Sequence, residues 1–211
     1  MSPAPTVTTD ASGTVTGNTY DKYGSTNPVV QRLMRRFHTD LDALFDQARP
    51  ESILDVGCGE GVLVCQWADR VGDGRVVGID LDDPRLHAEW EKRRRPNLEY
   101  RVQKAEDLPF ESDEFDFASA VEVLEHVPDP DHTLAEMARV ARRHLLVSVP
   151  REPLWRGLNM ARGAYLGDWG NTPGHLNHWS KRAFVSFLRT VGTPVEVRSP
   201  FPWTMVLVRL D

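Results

Sequence analysis

The chain has 211 residues, 40% of them hydrophobic and 27% charged, and 25 basic against 31 acidic residues leave a net charge of −6. That balance excludes collagen-like, coiled-coil and wholly disordered classes and argues against generic nucleic-acid binding. No apolar run reaches the ~18 residues a membrane span needs, and Cys58 and Cys65 read as reduced thiols of a cytoplasmic protein with no CxxC metal pattern.

Residues 1–18 are mostly Ser, Thr, Pro, Ala and Gly, too poor in large apolar groups to order alone, and are expected to form a flexible tail. They lack the basic and apolar regions of a secretory signal. A single domain is predicted over 19–211. Asn27 and Pro28 make an N-cap and first-turn pair, and Val30, Leu33, Met34, Phe37, Leu41, Leu44 and Phe45 then recur at helical spacing up to Pro50. Beyond it, strand-like segments at 52–56, 75–79, 98–102, 115–120 and 144–149 alternate with helical ones at 62–70, 84–95 and 130–142. Such alternation implies right-handed βαβ units and a parallel sheet covered on both faces. Residues 151–179 break the rhythm, holding Trp155, Tyr165, Trp169 and Trp179 among Gly, Asn and Arg without clean periodicity. Ser180 caps a further helix carrying Phe184, Phe187 and Leu188, and β-rich segments at 195–198 and 204–209 close the chain.

The most informative segment is Ile53-Leu-Asp-Val-Gly-Cys-Gly-Glu-Gly61, a buried strand running into a glycine turn ahead of a helix. Glycines admit positive φ and close approach of a ligand to the main chain, and the helix N-terminus favours an anionic group such as a carboxylate. Asp80 ends the next strand, where a carboxylate can accept hydrogen bonds from ribose hydroxyls. A dinucleotide is the competing ligand. The spacing is GxGxG rather than GxGxxG, however, and Asp55 would repel phosphates while attracting an ammonium group.

LDVGCGEG at 54–61, GID at 78–80 and AEDLPF at 105–110 resemble class I S-adenosylmethionine-dependent methyltransferases of the ubiquinone-pathway-like branch. The resemblance implies a Rossmann-like, doubly wound α/β fold whose mostly parallel seven-stranded sheet has helices on both faces and a reversed last strand. It implies that Asp55, Gly57 and Gly59, with Cys58 and Gly61 in the same turn, hold the methionine moiety and Asp80 the ribose. Leu81 would lie against the adenine, with Glu106 and Asp107 near its edge. Lys104 stands where the branch often has an acid. Tyr20, Tyr23 and Arg32 would fold over the cofactor as an N-terminal lid.

After the strand at 115–120 comes Val121-Glu-Val-Leu-Glu-His-Val-Pro128. In one helical turn, Glu122, Glu125 and His126 would share a face, as a cation site requires; ordinary surface carboxylates beside a packing histidine give the same spacing. The stretch EVLEHVPDP resembles the ubiquinol O-methyltransferase group. That likeness makes Glu122, Glu125 and His126 ligands of Mg2+ and lines the cofactor pocket with Val121. The chemistry of the donors leaves Mn2+, Fe2+ and Zn2+ open as well. A cation lowers the pKa of a bound hydroxyl and a base removes its proton, so the cluster points to O-methylation.

His126 and His175 are the candidate bases, with His178 beside them in Gly174-His-Leu-Asn-His-Trp179. One of the latter two histidines could equally cap or pack while the other is exposed. Long irregular segments in compact domains are often functional, so 151–179, with Arg151, Arg156 and Arg162 among its aromatics, is predicted to be the acceptor lid. Arg93, Arg94 and Arg95 read as a solvated helix end. The expected partner is a small-molecule or glycan acceptor, a sugar or polyol somewhat ahead of a quinol or phenol, with no nucleic acid and no membrane; monomer and homodimer both stay open. Competing readings are N-, C- or S-methylation, a non-catalytic cofactor-binding module, and a nicotinamide-dependent oxidoreductase.

Overall fold

A computed structural model describes residues 27–161, 163 and 165–211, together with the backbone of a strand pair, Thr8–Thr9 against Val15–Thr16. The rest of the tail predicted over 1–18, and Tyr20, Tyr23 and Arg162, lie outside the described residues.

Helix α1, Pro28–Ala48, starts where the Asn27 side chain accepts the Val29 N–H at 2.9 Å and ends at Arg49 in the left-handed region. Its buried face carries Met34, Phe37, Leu41, Leu44 and Phe45, the apolar stripe that the 3.6-residue period lays on one side. Then come β1 (Ile53–Val56), α2 (Val62–Val71), β2 (Val76–Asp80), α3 (Pro84–Lys92), β3 (Leu98–Val102), β4 (Phe115–Val121), α4 (Pro130–Val140) and β5 (Ala141–Pro150). Helix α5 (Leu154–Ala161), a 3-10 turn at Leu166–Asp168, α6 (Lys181–Leu188), β6 (Thr193–Arg198) and β7 (Trp203–Arg209) complete the domain. Asp83, Asp129 and Ser180 cap α3, α4 and α6.

Among the described residues seven strands form one sheet in the order β3-β2-β1-β4-β5-β7-β6. The pairs from β3 to β5 are parallel, whereas β7 runs antiparallel to both β5 and β6. The reversal follows from chain length: four residues separate β6 from β7, enough for a tight turn between antiparallel neighbours but too few for a crossover. One face buries Phe45, Trp67 and Phe117 beneath α1 and α2, with Trp67 stacked on Phe45 at 5.0 Å. The other packs α4 and α6 over Leu54, Val77 and Phe115. Strands β1 and β4 leave in opposite directions across the sheet, and the crevice beyond their carboxyl ends is where such sheets bind ligands.

Helix α4 stops at Val140 rather than continuing to 142, because Ala141 already pairs with Phe115 in the sheet and Arg142 reaches back to Asp116. The segment at 151–179 is more ordered than its composition implies, since α5 lies inside it. No described helix is long and apolar enough to cross a membrane.

Candidate functional site

Three glycines shape the turn after β1, each for a different reason. All have positive φ, at 70°, 54° and 78° for Gly57, Gly59 and Gly61. A Cβ on Gly57 would stand 2.5 Å from Val123 Cγ2, and one on Gly61 would stand 2.5 Å from the Tyr100 hydroxyl; one on Gly59 would meet nothing within 4 Å. Gly57 thus lets the β1 and β4 loops touch, Gly61 admits a buttress, and Gly59 faces open space. Gly57→Ala combines a left-handed backbone with a clash, so about 3 kcal/mol of stability should be lost. Urea unfolding should show this as a lower midpoint at unchanged slope.

The turn is held from below. The Gly57 and Cys58 N–H groups donate to Ile79 O at 2.8 and 2.9 Å. Asp80 accepts from Gly59 N at 2.6 Å and from Leu81 N at 2.7 Å. Trp90 donates its indole N–H to Gly59 O at 2.8 Å and stacks on Tyr100 with ring centroids 5.2 Å apart. Burial raises the Asp80 carboxyl while those two amides oppose the shift. Asp55 is 2% exposed and receives the Ser119 hydroxyl at 2.6 Å from the register-matched position on β4. Its burial pushes the carboxyl up to about 7. Burial likewise pushes the Cys58 thiol up, so Cys58 acts by its size.

A cavity of about 1040 Å3 runs from this turn to the 151–179 segment. Asp55, Gly57, Cys58, Gly59, Asp80 and Leu81 line one end, and Lys104, Glu106 and Val121 line it nearby. Gly61 and Asp107 do not border it. Gly61 faces Tyr100, and the Asp107 carbonyl receives the Gln103 side-chain amide.

Glu122, Glu125 and His126 do not share one helical turn. Glu122 sits at φ 62°, its N–H bonded to Ser148 O at 3.1 Å and its carboxylate accepting the Ser148 hydroxyl at 2.9 Å. A tight turn then closes from His126 N to Val123 O at 2.8 Å. Glu125, 2% exposed, comes instead to His126 and His175. One ligand-capable atom from each of these three lies within 4.8 Å of the other two, a grouping that leaves Glu122 out. The His126 and His175 rings meet edge to face at 4.9 Å. His126 Nδ1 lies 2.9 Å from Gly174 O. A carbonyl only accepts, so Nδ1 carries the hydrogen and Nε2 keeps the lone pair of the neutral ring; Nε2 is 4.0 Å from Glu125 Oε1. His178 is exposed and pairs with Asn171.

Much of the remaining wall is apolar. Leu33, Met34 and Phe37 of α1, Trp155 and Leu158 of α5 and Trp203 of β7 line it, with Phe37 meeting Trp203 edge to face at 4.9 Å, while Glu60, Gln103, Asn159 and Thr172 add polar groups. Trp155 donates to the Thr172 hydroxyl at 2.9 Å, and the Asn159 amide donates to Thr172 and Gly170 O. Tyr165 also lines the cavity, whereas Trp169 is 77% exposed and Trp179 packs on Phe187. Sequence reasoning missed the α1 wall, Ser119, and Trp90 with Tyr100. The α1 residues carried a signal, but an apolar stripe reads as core; the others lie scattered along the chain with no local pattern.

Residues 54–146 match the family described as methyltransferase domain. The ubiquinone/menaquinone biosynthesis C-methyltransferase UbiE of Enterobacter sp. (strain 638) is 34% identical over 143 residues, 64% of this chain and 56% of that protein. The ubiquinone biosynthesis O-methyltransferase of Acinetobacter baylyi is 42% identical over 86 residues, 38% of this chain and 34% of that protein. The chain therefore spans about half the length of the first relative and a third of the second. Among solved structures, magnesium protoporphyrin IX methyltransferase from Synechocystis PCC 6803 with bound SAH superposes with a TM-score of 0.64 at 17% identity, covering 89% of this chain and 90% of that one. That likeness establishes the shared Rossmann-like fold.

Proposed function

We infer that this chain, which carries a methyltransferase domain over residues 54–146, moves a methyl group from S-adenosylmethionine to a hydroxyl oxygen of a small molecule with an apolar body. The observation that carries this reading is the single cavity joining the Asp55–Gly59–Asp80 turn to the Glu125–His126–His175 cluster. S-adenosylmethionine supplies a methyl group already activated on a sulfonium. The residues fit it: Asp55 offers a buried carboxylate to an ammonium group, Gly59 leaves space where any Cβ would intrude, and Asp80 can accept from ribose hydroxyls. Glu106 lines the same cavity, which supports a contact with the adenine edge.

An alcohol must lose its proton as the new C–O bond forms. His126 Nε2 takes that proton, and the Glu125 carboxylate beside it steadies the resulting imidazolium. His175 packs edge-on and holds the ring. Much of the remaining rate comes from holding acceptor oxygen and donor carbon close and collinear, for which Phe37, Trp155 and Trp203 supply rigid walls. Those walls support a phenolic or other apolar alcohol over the sugar or polyol that the sequence favours. The same base would serve methylation at a ring carbon beside a phenolate, so the product's methylated atom has to be identified.

The proximity of Glu125, His126 and His175 favours a second reading, in which a divalent cation binds there and acidifies the hydroxyl. Two imidazoles and one carboxylate suit Mn2+, Fe2+ or Zn2+; Mg2+, which takes oxygen octahedra, fits this set poorly. One experiment tests both. A panel of phenols, sugars and amines is incubated with methyl-labelled donor in EDTA, and each ion is then added back. Label on a phenol oxygen in EDTA supports the base alone, and label only after add-back supports the cation. Transfer confined to nitrogen or carbon overturns O-methylation, and tight donor binding without transfer to any acceptor overturns catalysis.

A further inference from the structure

Five hydrogen bonds among the described residues join Gly174–Asn177 to Leu124–Val127, two segments some fifty residues apart in sequence. Glu125 O accepts Leu176 N at 2.7 Å and Asn177 N at 3.1 Å. His126 Nδ1 donates to Gly174 O. The Asn177 side-chain amide donates to Leu124 O at 3.0 Å and Val127 O at 2.7 Å, carbonyls that flank Glu125 and His126 on either side. A tight turn leaves such carbonyls without helical partners, and buried backbone acceptors require donors. A primary amide supplies two hydrogens to two acceptors; serine has one to give and aspartate none.

We propose that Asn177 is a positioning residue, clamping the Leu124–Val127 turn against the 151–179 segment so that His126 stays in its Nδ1–H tautomer with Nε2 beside Glu125 and His175. The proposal deepens the reading of His126 as the residue acting on the acceptor hydroxyl, and rests on it for its functional meaning. The segment that walls the acceptor end also supplies Gly174 O, which selects the tautomer, and Asn177, which keeps the turn within its reach. The contacts that hold that wall therefore also hold the base. Sequence inspection passes over Asn177 because it lies between two histidines that attract attention.

Long-range 1H–15N NMR of the histidine rings, at one fixed pH with saturating S-adenosylhomocysteine, tests this without any acceptor. His126 signals are assigned by their loss in His126→Gln. In the parent protein Nδ1 should be the protonated nitrogen. In Asn177→Ala the Nε2–H share should rise about tenfold, as losing two net hydrogen bonds implies, and in Asn177→Ser by a smaller factor of at least about three. The dissociation constant of S-adenosylhomocysteine should stay within about twofold, since its proposed residues lie at the cavity's other end. An unchanged tautomer in Asn177→Ala overturns the proposal, as does an Nε2–H tautomer in the parent. If Asn177→Ala fails to fold, the same measurement on Asn177→Ser decides, and no shift there overturns it. The readout is independent of methyl transfer, so failure of the O-methylation reading leaves it standing and its own failure leaves that reading intact.

Discussion

Asp55→Asn is expected to weaken S-adenosylhomocysteine binding about 100-fold while raising the melting temperature of the ligand-free protein at pH 8. Losing one member of a buried charge pair costs about 3 kcal/mol or more, and an amide keeps the Ser119 hydrogen bond while offering an ammonium group no charge. The stability gain has the opposite origin. Burial holds the Asp55 carboxyl at about 7 in the folded chain, above its unfolded value, so the fold prefers the neutral acid. The stability from this group is fully present below the unfolded pKa and is lost as pH rises through about 7. Asn carries no such penalty, so the variant should be the more stable by about 2 kcal/mol at pH 8, a few degrees in Tm, and no more stable at pH 4. Affinity in the parent should fall about tenfold per unit as pH drops below 7 and stay flat in the variant. Calorimetric titration across pH 6–8 with paired thermal melts checks both. Equal affinities in parent and variant would remove Asp55 from the donor site.

His126→Gln should lower kcat by about 10²–10⁴, the usual contribution of a positioned base, and leave S-adenosylhomocysteine affinity within about twofold. The two effects separate because His126 belongs to the proposed acceptor site and Asp55, Gly59 and Asp80 to the proposed donor site, both lining one cavity. Rates measured against added Mn2+ distinguish the two roles open to the imidazole. Loss of a ligand weakens metal affinity, so excess ion raises turnover if the ring binds a cation. A lost base is not restored by any ion concentration. Parent-like kcat without added metal would exclude both roles and transfer the chemistry to His175 or Glu125.

Much of the proposed donor end can be read from local sequence, because its parts are contiguous. Asp55 lies in β1 and Gly57 and Gly59 follow it, all within five residues, and a single strand–turn–helix places them. Asp80 needs only the next strand beside the first. Even here tertiary contacts sorted the glycines: Gly61 belongs to Tyr100, 39 residues away, Gly57 lies against Val123, and of the three only Gly59 would carry a Cβ into open space. Trp90 and Ser119, which fasten this corner, lie on elements that the chain order does not bring next to the turn.

The amino-acid pattern alone determined the strand–helix alternation, the doubly wound sheet and the donor turn, because hydrophobic period and glycine chemistry act over a few residues. The Glu125–His126–His175 grouping was decided only in three dimensions. The left-handed bend at Glu122 swings its carboxylate to Ser148, and the 151–179 segment folds back to bring His175 to Glu125 and His126. Helical spacing joins residues three and four apart on a continuous helix. At a bend followed by a tight turn that rule lapses, and hydrogen bonds to a segment fifty residues away choose which side chains meet.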